Sequence, residues 1–321
     1  MDINTALYSL CSMPLHGVSL FTDSMPAIKN KYALRLSSGK VESPSQESAV
    51  WKLTDKGERY TSVIELHREN DRQVLMIDCE GKGAFEFTEE GIKVDWHANG
   101  TGPAHYLQTI GLSVFLEQKG HLCLHANTLV KEGQAHLFLA PSRTGKSTLT
   151  TALTHEGFTL TTDDMAALFS DGNAFSVYPS WPKVRLWPDS TEYFADSASF
   201  DKTTVKKVHD RFAKNEITFT GQMSEDKPAQ ISALYFLNRA ENYTGPVEIT
   251  RIANSKALIL LMQNSMLGDA YKALGIDKQR VGSLATLINT LPVYEIKYPD
   301  GLERLTEVCR QINEWISAKN G

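Results

Sequence analysis

Ala140-Pro141-Ser142-Arg143-Thr144-Gly145-Lys146-Ser147-Thr148, followed after a helical span by Asp163-Asp164, decides how this 321-residue chain is read. The spacing fits a phosphate-binding loop in which Ala140 takes the place of the usual first glycine. In such a loop backbone N–H groups cradle a triphosphate, Lys146 reaches the β- and γ-phosphates, and the Ser147 hydroxyl ligates Mg²⁺. Ser142, Arg143, Thr144, Gly145, Lys146, Ser147 and Thr148 are therefore the candidate nucleotide contacts.

The flanks agree with this reading. Ala135–Leu139 is an apolar run that predicts a buried strand. Ser147–His155 predicts a helix closed by Gly157, completing the strand-loop-helix frame the loop needs. Phe158–Thr162 predicts a second strand, which a right-handed crossover lays parallel to the first with both carboxyl ends on one edge. An isolated Asp-Asp after a strand reads more readily as a cap or turn, but beside a phosphate loop the reading reverses, and Asp163 and Asp164 face the phosphates. A hairpin of Leu122–Val130 with Gln134–Leu139, turning at Glu132-Gly133, pairs Lys131 with Gln134. Counted outward, it sets His125 opposite Ala140, at the mouth of the loop.

Leu124-His-Ala-Asn127, the loop itself and Leu160-Thr-Thr-Asp-Asp164 resemble, in order and spacing, the catalytic domain of HPr kinase/phosphorylase and its kinase-like relatives, including lasso-peptide kinases. Tyr178–Ser190 is similar to a Pro-rich stretch of those relatives. The resemblance spans roughly residues 103 to 315. It implies an α/β P-loop core with a mixed sheet, ATP and Mg²⁺ as cofactors, and transfer to a serine hydroxyl of a protein or modified peptide. It also implies roles: His125 as the active-site histidine, Lys146 and Ser147 as the P-loop pair, Asp163 as the catalytic aspartate and Asp164 as its metal-side neighbour. The later Glu-x-Arg-Gly-Leu-Gly signature, which the resemblance links to phosphorolysis, is missing. Kinase activity without ready reversal is the expectation.

Composition sets outer bounds. With 41% hydrophobic residues the chain can bury a substantial core. A net charge of -5 argues against nucleic acid held by general electrostatics. Met1–Phe21 lacks a basic segment followed by an apolar run, and the longest apolar stretch, Ala257–Met262, is too short to span a bilayer, so the reading is cytoplasmic with no membrane partner. Four scattered cysteines, Cys11, Cys79, Cys123 and Cys309, show neither disulfide nor metal spacing and predict reduced thiols.

Residues 1–102 predict a small antiparallel β domain, from runs at Tyr32–Leu36, Ser62–Leu66, Val74–Asp78, Ala84–Phe87 and Ile92–Trp96. Asn99-Gly-Thr-Gly-Pro103 is the expected linker into a catalytic domain at 103–321, which opens with a helix over Ala104–Gln118. Farther on, Arg185 is a candidate phosphate contact, and Lys206-Lys207 with Arg211 a candidate lid. Ile231–Leu237, Ser255–Met266, Pro292–Lys297 and Leu302–Ile316 read as scaffold. Asp163 and Asp164 can exchange base and metal roles. A small-molecule hydroxyl kinase and a non-catalytic nucleotide-binding module stay open beside the peptide or protein kinase, as does homo-oligomerisation.

Overall fold

Alternating apolar residues and turn chemistry set the first sheet, as the computed structural model of the chain shows. The structure describes residues 7, 9–56, 61–141, 144–181, 183–195, 204–209, 212–218 and 227–320. Ser142, Arg143 and Arg211 lie outside them. The chain forms two compact units: Met1–His121 with Met266–Arg280, and Leu122–Ser265 with Val281–Gly321.

The strands of the first unit are β1 (Val18–Phe21), β2 (Tyr32–Ser38), β3 (Ala49–Lys56), β4 (Thr61–Glu69), β5 (Arg72–Asp78), β6 (Gly81–Thr88) and β7 (Gly91–Gly100). They form one sheet in the order β1-β2-β7-β6-β5-β4-β3. β3 to β7 are an antiparallel meander, as expected, but β1 with β2 and β2 with β7 pair parallel, so the sheet is mixed. The sequence reading misses β1 and β3. β3 is an edge strand that buries Trp51 while leaving Val50 and Leu53 exposed, which blurs its alternation.

The helical stretch after the expected linker packs within this unit. It runs as Pro103–Tyr106, a π-helical turn Leu107–Gly111, and helix α1 (Leu112–Gln118). The Tyr106 ring lies 5.3 Å from that of Trp96 and its hydroxyl accepts the Gly81 N–H, which holds the stretch beside β6 and β7. In the segment Met266–Arg280, Asp269 accepts the Trp51 indole N–H at 2.6 Å, and Arg280 pairs with the buried Glu117 at 3.1 Å.

The second unit holds β8 (Leu122–Leu124), β9 (Ala126–Lys131), β10 (Gln134–Leu139), β11 (Thr159–Thr162), β12 (Ala166–Ser170), β13 (Phe175–Val177), β14 (Lys183–Leu186), β15 (Lys206–His209), β16 (Phe212–Thr218), β17 (Ala229–Ala240), β18 (Glu248–Arg251) and β19 (Val293–Pro299). Nine of them form a mixed sheet running β11-β9-β10-β17-β13-β12-β8, with β19 against β17 and β18 against β19. One face is covered by α2 (Lys146–Leu153) and α7 (Leu305–Asn320), through Leu149, Leu153, Val308 and Ile312. The other is covered by α4 (Asn254–Gln263) and the later part of α6 (Asp277–Thr290), through Ala257, Leu261, Leu284 and Leu287. Between these helices come α3 (Pro188–Tyr193) and α5 (Ala270–Leu274). β14, β16 and β15 make a separate three-stranded sheet. Lys206 and Lys207 are strand residues, opposite Glu216 and Asn215.

The four cysteines are free, three of them buried. No helix among the described residues is long and apolar enough to cross a membrane.

Burial lowers the pKa of His16 to about 3 and of His121 and His136 to about 4. Their folded values lie below the unfolded value of 6.5, so the unfolded chain takes up protons first. The contribution of each of these histidines is complete above pH 6.5 and is lost as pH falls towards 4, at about 1.4 kcal/mol per pH unit. Thermal melts should show a steep drop between pH 6.5 and 5, which His136→Gln makes shallower; a flat profile would contradict the assignment.

Candidate functional site

The site is built where β9, β10, β11 and α2 meet. Glu132 and Gly133, with φ of 51° and 76°, supply the left-handed pair a two-residue hairpin requires. The register runs from Gln134↔Lys131 to Leu139↔Ala126, as turn counting predicts. His125 is the next residue outward. The expected strand Leu122–Val130 breaks there: β8 pairs with β12, β9 stays with β10, and the His125 N–H donates to Asn264 O at 2.7 Å.

β10 ends at Leu139, and Ala140 is fully buried in the core, where its methyl group occupies packed space. Gly145 takes a left-handed conformation, φ 88°, and its carbonyl accepts the Leu149 N–H at 2.9 Å, which starts α2. Thr144 turns its hydroxyl back to Pro141 O at 2.7 Å. Thr148 shares a hydrogen bond with Ser190 at 2.8 Å.

β11 runs antiparallel to β9, as β10 does, so β10 and β11 point the same way with β9 between them. Their carboxyl ends share one edge. Asp163 follows β11 there, and its Oδ1 accepts from the Ser147 hydroxyl at 3.1 Å.

Asn127, which the sequence reading quotes in a motif without giving it a role, organises the centre. It is fully buried. Its Nδ2 donates to Asp163 Oδ1 at 2.7 Å and to Thr150 Oγ1 at 2.9 Å, and its Oδ1 accepts the Asp164 N–H at 3.1 Å. Asp164 is a non-glycine residue at φ 66°, a conformation Asp tolerates better than most residues. His125 Nδ1 lies 3.0 Å from Asp164 O, so it is the donor there, and the histidine holds that backbone carbonyl rather than the Asp163 carboxylate. Asn127→Ala removes a donor to one aspartate and orphans the amide of the next. It should lower the urea midpoint by the equivalent of about 1–3 kcal/mol; an unchanged midpoint would show that Asn127 organises nothing.

The electrostatics follow from burial. The Asp163 carboxyl is pushed up to about 7, first by withdrawal from water and second by the charge of Asp164. Lys146 is 6% exposed. Burial brings its ammonium down to about 8 against the pull of Asp164 and Asp163. Its Nζ donates to His125 O at 3.3 Å, and it forms no ion pair among the described residues. Burial and the Lys146 charge lower His125 to about 4, so it is neutral at pH 7. Lys214 on β16, which the sequence reading also misses, is close enough for its charge to favour ionised Asp163. A lone lysine in a polar strand gives no signal of that position.

Arg185 is placed differently from expectation. Its guanidinium pairs with Glu216 at 3.2 Å, and it is the Arg185 backbone N–H that reaches Asp163 Oδ2, at 3.2 Å. No group of three or more His, Cys, Asp or Glu side chains arranged to hold a metal occurs among the described residues. The oxygen set of Ser147, Asp163 and Asp164 suits a hard cation that keeps its waters and takes further oxygens from phosphate. The buried ammonium beside it, with no carboxylate at ion-pair distance among the described residues, suits a polyphosphate.

No protein-family model matches the chain, and no curated protein matches it. Among solved structures it is similar to the Hpr(Ser) kinase/phosphatase from Coxiella burnetii, over 62% of this chain and 99% of that one, with 14% sequence identity and a TM-score of 0.33. A likeness of that size leaves the chemistry of the site to be argued from its own residues.

Proposed function

We propose that this protein is an ATP-dependent kinase that transfers the γ-phosphoryl group to a hydroxyl, most simply a serine of a protein or modified peptide. The observation that carries the reading is the convergence on Lys146: a buried ammonium without a carboxylate partner among the described residues, at the start of a helix that opens on a left-handed glycine, facing a hydroxyl and two consecutive carboxylates. Such a group is costly to bury unless an anion completes it.

In this reading the loop amides and Lys146 hold the phosphates, and Ser147 and Asp164 would hold Mg²⁺. When bound, the ion neutralises charge on the phosphate oxygens. Asp163 takes the proton of the acceptor hydroxyl as the acceptor O–P bond forms and the bond from the γ-phosphorus to its bridging oxygen breaks, releasing ADP. Asn127, Ser147 and the Arg185 amide fix the carboxylate for that task. Neutral His125 positions Asp164 through its carbonyl and adds no charge.

Incubating the full chain with γ-labelled ATP, Mg²⁺ and the products of neighbouring genes tests the reading. Label on a polypeptide supports it. Label on a metabolite replaces the acceptor class with a small molecule, and ATP binding without any transfer reduces the protein to a nucleotide-binding module.

A further inference from the structure

The chemistry of the site assigns its two flanks. β17 pairs parallel with both β10 and β19, so the carboxyl ends of all three strands lie on one edge, where open α/β sheets bind their ligands. Asp163 marks one flank of that edge, beyond β9, and on the other flank, at the ends of β17 and β19, a cleft opens. It is lined by Gly145, Thr148, Arg239, Tyr298, Asp300 and Leu302.

The cleft is graded. At its loop end the Arg239 guanidinium presses on Gly145, where a Cβ would stand 3.1 Å from Nη1. Tyr298, 4% exposed, gives it an apolar wall with Leu302. Beside that guanidinium the Asp300 carboxylate accepts the Gly301 N–H at 2.7 Å and lies 3.5 Å from Arg239 Nε. Both members of that pair keep more than a third of their side-chain surface open, 38% and 37%.

We propose that this cleft holds the nucleoside half, base and ribose, of the triphosphate; the assignment rests on the kinase reading above. Attacking and leaving oxygens stand in line across the γ-phosphorus. An acceptor hydroxyl delivered to Asp163 therefore sends the departing diphosphate towards the opposite flank. Arg239 lies where the phosphate chain leaves the loop, Tyr298 and Leu302 offer apolar surface to the base, and Asp300 accepts from the hydroxyl or amino donors of the nucleoside.

Calorimetric titration of the full chain with Mg²⁺ and either ATP or inorganic triphosphate tests this, comparing wild type with Leu302→Trp, which fills the cleft, and Asp300→Ala. Wild type should prefer ATP by about tenfold or more, and each variant should lose most of that preference while triphosphate binds as before. Equal binding of the two ligands to wild type, or a preference intact in both variants, overturns the cleft assignment alone. Failure of wild type to bind either ligand overturns the phosphate site and the cleft with it. Photolabelling of the wild-type chain by 8-azido-ATP gives a readout free of any folding defect: label within 298–305 supports the cleft, and label only elsewhere rejects it.

Discussion

Lys146→Ala is expected to abolish phosphoryl transfer and to weaken ATP binding by about 10- to 100-fold. Among the described residues of the loop, Lys146 is the charged side chain that is buried, and charge-assisted bonds in a water-poor site are the strong ones. Arginine should not restore activity, since its planar fork cannot occupy the space of a compact ammonium packed under His125 O. Normal turnover in the alanine variant would show that the loop does not bind phosphate at all.

Asp163→Asn separates binding from chemistry. The amide keeps the shape but cannot take a proton, so transfer should fall by about 10²- to 10⁴-fold while ATP affinity changes little. A second effect concerns the unliganded protein. The folded pKa of Asp163, about 7, lies above its unfolded value of 3.8, so the folded state binds that proton more tightly. The Asp163 contribution to stability is therefore lost as pH rises from 3.8 through 7. The asparagine variant should melt higher than wild type at pH 8, by the equivalent of about 1–3 kcal/mol, and should show no gain at pH 4. Part of that gain is returned if the new NH₂ group faces the Arg185 N–H. Should Asp164→Asn lose transfer with affinity intact while Asp163→Asn does not, the two aspartates have exchanged roles.

What could be read in the sequence follows from how local its cause is. The hairpin register is local: Glu132-Gly133 fixes it, and it carried His125, seven residues before Glu132, to the loop mouth. The strand-loop-helix frame and the Asp163 edge follow from one crossover. Asn127 was not legible as an organiser, because its partners at Thr150, Asp163 and Asp164 meet it only once β11 lies against β9. Arg185 was misdirected for the same reason: its charge partner, Glu216, is 31 residues away on a strand whose polar alternation reads as loop. The parallel pairing of β1, β2 and β7 leaves no turn signature, and the helix Asp277–Thr290 carries too many polar residues to show its buried stripe.

The left-handed backbone at Asp164 reaches beyond local geometry. Its N–H is taken by Asn127 and its carbonyl by His125, so both peptide groups flanking the residue are tied to β9 or to the residue just before it. A sparsely populated conformation held from both sides does not relax when a ligand leaves. The entropy of ordering this backbone is thus lost once, when the chain folds, and under the kinase proposal it is not lost again at each turnover. A ligand entering there meets both carboxyl groups already positioned.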